Sequence, residues 1–178
     1  PFIGAKLRGE QDVKIVAVEP ANCPTLTKGK YAYDFGDTGN LTPLVKMHTL
    51  GSAFLPPASH AGGLRYHGMA PLVSQLVNLG EINPTAYSQT DCFDAGITFA
   101  RAEGIVPAPE ANHAVKGAIV EALRCKEEGT SRAILFNLCG HGYFDMQAYT
   151  DYNSGKLEDY AYDESEVAMA LAGLPSIS

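Results

Sequence analysis

The sequence predicts an α/β domain: a small, mostly parallel sheet covered by helices. Three observations predict it. Short apolar runs of strand length alternate with helical patterns in the order strand, loop, helix, strand, helix, helix, strand, helix. The longest periodic segment, Glu110–Glu128, sets Ala111, Ala114, Val115, Ala118, Ile119, Ala122 and Leu123 at helical spacing, which gives one apolar face for packing on a sheet. Finally, Ala133–Gly142, AILFNLCGHG, reads as an apolar strand running straight into a Gly-rich turn with a helix beyond it. Open α/β sheets bind their ligands at the carboxyl ends of such strands.

Taken in order, Phe2–Arg8 carries apolar residues at Phe2, Ile3, Ala5 and Leu7 and reads as the end of a helix. Val13–Val18, VKIVAV, is a strand closed by Glu19-Pro20. Ala21–Asn40, rich in Gly, Thr, Asp and Tyr without a period, reads as a loop of functional length, and Leu41–Leu50 as a short helix. Gly51–Met69 is again loop, with four glycines, two prolines and two histidines. A helix over Ala70–Leu79 has Pro71 in its first turn and Gly80 at its close. Thr85–Gln89 is a strand, and Thr90 or Asp91 caps a helix over Cys92–Ala102, which Gly104 stops. Gly129 ends the long helix, Ala133–Leu138 forms a buried strand, and Phe144–Tyr152 is helical. A last helix over Glu164–Leu171 lies in a tail of Asp, Glu and Tyr.

Composition narrows the class of function. Hydrophobic content of 46% and charged content of 19% over 178 residues fit one globular domain with a core of its own. A net charge of −7 with scattered Lys and Arg gives no footprint for nucleic acid. Cys23, Cys92, Cys125 and Cys139 lie far apart without a CxxC pair, which fits reduced thiols of a cytoplasmic protein better than disulfides or a zinc site. No apolar run approaches the ~18 residues of a membrane span, and no signal peptide is visible. The chain begins at Pro1 without methionine, so residues are expected upstream of it.

Chemistry gathers at two places. In CGHG, Gly140 and Gly142 let the backbone approach something flat or anionic, and Cys139 offers a weak S–H donor at the lip. A tight strand-to-helix connection with a buried thiol is the plainer alternative. Glu110 follows Pro107-Ala108-Pro109 and opens the long helix, where the helix dipole favours the ionised carboxylate unless burial opposes it. From the residues alone it is either an ordinary helix-start acid or an acid–base group. His141 is two residues from Cys139 with no third orienting group in view, so a nucleophilic Cys–His pair is not favoured. His60 and His67 lack the Cys or carboxylate company at ligand spacing that a metal site needs.

Five motifs, LTPLVKMHTLG (Leu41–Gly51), HAGGLRYHGM (His60–Met69), QTDCFDA (Gln89–Ala95), EGIVPAPEANHA (Glu103–Ala114) and FNLCGHG (Phe136–Gly142), resemble together the C-terminal half of the tryptophan synthase β chain. More narrowly, they resemble the second, longer type found in archaea and many bacteria. The resemblance covers residues 1–157 and leaves 158–178 as a tail with a short helix. It implies the C-terminal domain of the tryptophan-synthase-like (fold type II) fold and a pyridoxal-phosphate enzyme that replaces the hydroxyl of L-serine with indole. Such an enzyme needs a Schiff-base lysine, a Gly-rich phosphate loop, a carboxylate near the reacting centre and a neutral donor facing the pyridine nitrogen. No lysine here stands in the family's His-x-x-Lys setting, and the GGGSN loop is expected just before Pro1. The chain alone is therefore expected to be inactive, with its own N-terminal half, a second copy in a homodimer and an α chain as partners. The alternatives are another serine or threonine elimination or replacement, or a non-catalytic half-protein that binds a partner chain.

The same resemblance assigns residues. Glu110 is the carboxylate, and Cys139 is the pyridine-facing donor where the family usually has serine. Gly140 and His141, with Gly142, shape the ring slot, and Gly63 lays its backbone against the cofactor. The carbonyls of Leu64, Tyr66 and Gly68 fall where the family binds a monovalent cation. Arg65 replaces an aspartate that closes over substrate in better-known β chains, and as an arginine it would meet a substrate carboxylate.

Overall fold

The structure is a computed structural model that describes residues 2–10 and 13–176; Pro1, on which the expectation of upstream residues rests, lies outside them. After α1 (Phe2–Leu7), β1 (Val16–Pro20) pairs in parallel with β4 (Asn83–Tyr87), Val16 opposite Asn83 and Pro20 opposite Tyr87. Strand β1 thus runs through Glu19-Pro20 rather than stopping before it. The Ala21 N–H continues the ladder to the Tyr87 carbonyl at 2.8 Å, past the proline that has no N–H to give.

The region read as a loop over Ala21–Asn40 contains α2 (Thr25–Lys28) and β2 (Lys30–Asp34). Helix α2 follows Pro24, which has no capping side chain; its cap comes from β1. The buried Glu19 carboxylate accepts the Leu26 and Thr27 N–H groups at 2.8 Å and the Thr27 hydroxyl at 2.7 Å. Burial pushes this carboxyl above its usual range, and those three donors oppose the shift. The segment Leu41–Leu50 is likewise not a helix. Its residues Val45–Thr49 form β3, antiparallel to β2 with Lys30 opposite Thr49. Lys46 and His48 alternate with the buried Met47 and Thr49, a period of two that fits a strand. The Thr49 hydroxyl donates to the buried Asp34 carboxylate at 2.6 Å and ties the two strands together.

Helix α3 spans Pro71–Asn78 and α4 spans Gln89–Glu103. The cap of α4 is Ser88, whose hydroxyl accepts the Asp91 N–H at 3.2 Å; Thr90 instead donates its hydroxyl to Asp159. Helix α5 (Pro109–Glu128) lies along α4 and β1. It comes so close to the sheet that a Cβ on Gly117 would sit 2.9 Å from Val18 Cγ2. Helix α6 (Met146–Asn153) starts two residues later than its pattern suggests. One core cluster joins Phe93 of α4 to Ala148 and Tyr149 of α6, with Ile97, Val106, Tyr152 and Leu157 around it. A second joins Cys23, Leu50 and Phe54 to Val167 and Ala170 of α7 (Glu164–Ala172). The α/β class is the one expected, with a parallel pair flanked by helices and an antiparallel hairpin beside it.

The largest departure is Ala133–Leu138. Among the described residues this run pairs with no strand, and Leu135 is 77% exposed rather than buried. Its apolar alternation is that of a strand, but a strand needs a ladder partner and none is present among the described residues.

Candidate active site at the start of the long helix

The connector Val106–Ala108 and the turn Gly140–Gly142 are stitched side by side. The Ala108 N–H donates to the Gly140 carbonyl at 3.0 Å, the Gly142 N–H to the Val106 carbonyl at 2.8 Å, and Pro107 faces His141 across an antiparallel bridge. Glycine is required at both ends of the turn. Gly140 has φ +119°, in the left-handed region, and a Cβ on Gly142 would lie 2.5 Å from the Pro107 carbonyl oxygen. The close approach made by Gly142 is therefore to the chain itself.

Pro109 occupies the first turn of α5 and Glu110 follows it. Glu110 Oε1 accepts the Gly63 N–H at 2.8 Å. Gly63 belongs to a single 3₁₀ turn, Gly62–Leu64, entered through Ala61 at φ 85°, a left-handed conformation that a buried alanine adopts only under constraint. A Cβ on Gly63 would crowd Glu110 Oε1 at 3.2 Å. Three segments distant in sequence, carrying Gly63, Glu110 and Cys139–Gly142, so meet around the first turn of α5.

Cys139 is exposed, which sets aside the buried-thiol alternative, whereas Cys23, Cys92 and Cys125 are buried. Burial pushes the Cys23 thiol up to about 11 and the Cys92 thiol up to about 12, so both are inert near neutrality. The His141 Nδ1 accepts the Tyr143 N–H at 3.3 Å, and its ring lies 4.4 Å from that of Tyr143 and 5.5 Å from that of Phe144. Arg65 folds back, Nη1 donating to the Pro57 carbonyl at 3.0 Å, and so braces its own loop. The Tyr66 carbonyl accepts the Thr25 hydroxyl at 2.8 Å and the Cys23 thiol at 3.1 Å, while the Leu64 carbonyl accepts the Tyr66 N–H and Gly68 pairs with Thr49. Both acceptor sites of the Tyr66 carbonyl, one of the three expected to face a cation, thus have protein donors. Among the described residues no cluster of three His, Cys, Asp or Glu side chains forms a metal site, and no helix is long and apolar enough to cross a membrane.

Sequence reasoning missed three residues behind the connector. His113, buried one turn below Glu110, donates Nδ1–H to the Pro109 carbonyl at 2.9 Å, and burial pushes its imidazole below the usual range. Asn112 and Tyr149 are buried beside Pro107. On helices α5 and α6 their positions read as ordinary core, so no local signal singles them out.

No family model matches the chain. It is 62% identical over 162 residues to tryptophan synthase beta chain 2 of Aquifex aeolicus (strain VF5), a match covering 89% of this chain and 37% of that protein. It is 55% identical over 164 residues to the tryptophan synthase beta chain of Thermococcus onnurineus (strain NA1), covering 92% of this chain and 37% of the relative. Among solved structures it superposes on a fungal L-serine ammonia-lyase from Rhizomucor miehei with a TM-score of 0.52 at 14% identity, over 88% of this chain and 45% of that one. That likeness shows the fold, which is the tryptophan-synthase-like one expected. By its sequence the chain is similar to tryptophan synthase beta chains, of whose length it spans a little over a third.

Proposed function

We propose that this chain is the cofactor-ring-facing part of a pyridoxal-phosphate-dependent tryptophan synthase, in a protein that replaces the hydroxyl of L-serine with indole. The observation that carries the reading is the meeting of Gly63, Glu110 and Cys139–Gly142 at the start of α5, with Glu110 Oε1 2.8 Å from the Gly63 nitrogen. The arrangement fits a flat aromatic cofactor. Gly63 and Gly140 are exposed and present backbone without Cβ atoms, beside an exposed thiol and one carboxylate. When bound, pyridoxal phosphate supplies the electron sink for a carbanion at the substrate's α-carbon.

The residues of this chain divide the remaining work. Cys139 would face the pyridine nitrogen and offer it an S–H donor, where a carboxylate would favour a protonated ring. Glu110 has Oε1 committed to Gly63, so Oε2 is the oxygen that takes and returns a proton at the reacting centre. Gly63 and Gly140 would line the cofactor with backbone, and their lack of Cβ atoms lets them pack against Glu110 and Ala108. The Schiff-base lysine and the phosphate loop come from the protein's N-terminal part; a second copy and an α chain complete the assembly.

The test is to incubate the full-length protein with pyridoxal phosphate, L-serine and indole. Tryptophan formation, with cofactor absorbance that appears on binding, is the expected result. The shared fold with an L-serine ammonia-lyase favours a second reading, elimination alone. Pyruvate and ammonia from serine without tryptophan would establish that one, and cofactor binding without either product would leave a binding half-protein.

A further inference from the structure

We infer that Asn112 and Tyr149 are positioning residues, a buried hydrogen-bond relay that holds the Glu110-bearing start of α5 against the Cys139–Gly142 turn. The inference rests on the functional reading above and deepens it. It starts from the polar groups of the connector. Val106 O and Ala108 N are used by the turn, and Ala108 O accepts the Asn112 N–H at 3.0 Å as α5 begins. Pro107 and Pro109 have no N–H. The Pro107 carbonyl receives neither of these turn N–H groups; it is fully buried beside Gly142 and needs a donor. Tyr149 supplies it, with Oη 2.6 Å from that oxygen.

A tyrosine hydroxyl has one proton to give. Asn112 Nδ2 lies 3.0 Å from Tyr149 Oη and Asn112 Oδ1 lies 3.1 Å away, so the amide offers both a donor and a competing acceptor. The shorter contact to Pro107 takes the proton, and the Asn112 amide donates into the hydroxyl oxygen. The relay therefore has a direction: Asn112 N–H to Tyr149 O–H to Pro107 C=O. Each member is fixed from behind. Asn112 is 0% exposed and wedged against Gly96 of α4, where a Cβ would fall 2.1 Å from Asn112 Oδ1. The Tyr149 ring packs edge-on to Phe93 at 4.9 Å. On the far side, a Cβ on Gly142 would meet both Pro107 O at 2.5 Å and Tyr149 Cε2 at 3.0 Å. The relay thus registers α4, α5 and α6 on the residue that precedes Ala108-Pro109-Glu110, and through the stitched backbone on the turn that carries Cys139.

The test uses the full-length protein and Tyr149→Phe, which keeps the ring and its packing but removes the proton. Amide hydrogen exchange at Ala108 and Gly142 should accelerate about fivefold, the factor for loss of one net hydrogen bond, while Leu79 at the C-cap of α3 stays unchanged as an internal control. Asn112→Asp, which replaces the donor with a second acceptor for the Tyr149 proton, should act in the same direction. Both variants should shift the absorbance of bound pyridoxal phosphate and lower kcat about tenfold with little change in the KM for serine. Unchanged protection at Ala108 and Gly142 in both variants would overturn the relay. Lost protection with unchanged cofactor absorbance and kcat would overturn the positioning role. A parent protein that binds no pyridoxal phosphate would overturn the functional reading instead, and the exchange rates would still decide the relay.

Discussion

The connector Val106–Pro109 and the run Ser131–Leu138 reach the same Cys139–Gly142 turn from two sides, and they are held in different ways. In the connector, Pro107, Ala108 and Pro109 are buried, and its four C=O groups and the Ala108 N–H are taken by Gly142, Tyr149, Asn112, His113 and Gly140. In the run, Ile134, Leu135 and Leu138 are exposed and the backbone has no ladder partner among the described residues. Tyr143 and Phe144, just beyond the turn, extend the apolar surface, Phe144 being 93% exposed. An extended apolar edge of this kind invites a pairing strand. The difference teaches that one arm of the site has its polar groups and side chains satisfied among the described residues, while the other presents an unpaired apolar edge among them.

The largest expected effect tests that division directly. The 178-residue chain by itself should make no tryptophan, and mixing it with the separately made remainder of the protein should restore activity and protect the amides of Ala133–Leu138 from exchange. Turnover by the isolated chain would break the comparison, because the unpaired arm would then need nothing.

Next comes Glu110→Gln in the full-length protein. Glutamine keeps an acceptor for the Gly63 N–H, so the arm should stay in place and cofactor should stay bound. Turnover should fall by the ~10²–10⁴ typical of losing an acid–base group. Unchanged turnover would reduce Glu110 to a brace for Gly63.

How much of this was legible follows the same division. Helix α5 was legible because its period, its proline entry and its glycine exit are all local. The hairpin was not: the apolar content of Leu41–Leu50 looks helical until the alternation of Lys46, Met47 and His48 is set against its partner strand. Helix α2 was hidden because its cap, Glu19, is supplied from another element. Ala133–Leu138 carries a strand's pattern, yet a pattern records the intended burial and not where the partner comes from. In the site, Gly63, Glu110 and Cys139 stood out through the family motifs. Asn112 and Tyr149 did not, since a buried amide and phenol on helices announce themselves only through what they touch.

A smaller effect sharpens the contrast between the arms. Gly142→Ala should destabilise the protein by about 1–3 kcal/mol, because the new methyl must displace the Pro107 carbonyl and the Tyr149 ring. Leu135→Ala in the isolated chain should change stability by less than about 0.5 kcal/mol, as an exposed side chain with little to lose. Denaturant midpoints compare the two. Equal costs would mean that the run is packed after all.

The smallest expected effect concerns pH, and it should appear on the connector side alone. His113 Nδ1 donates to the Pro109 carbonyl, and burial holds the imidazole below its usual value of 6.5, so the folded protein keeps it neutral. Above pH 6.5 the ring is neutral folded or unfolded, and the stabilisation is fully present. As pH falls below 6.5 the unfolded chain takes up a proton before the folded one does, so stability is lost progressively toward the lowered folded value. The slope is at most about 1.4 kcal/mol per pH unit. Melting of the full-length protein at pH 7.5 and 5.5 measures it, with His113→Gln as the comparison: glutamine retains an amide donor for the Pro109 carbonyl but has no proton to gain. The parent should lose more stability than the variant between the two conditions, and exchange at Ala108 should slow less at the lower pH than its base-catalysed intrinsic rate does, while Leu135 follows the intrinsic rate alone. An identical pH response in parent and variant would show that the buried imidazole does not link protonation to the connector.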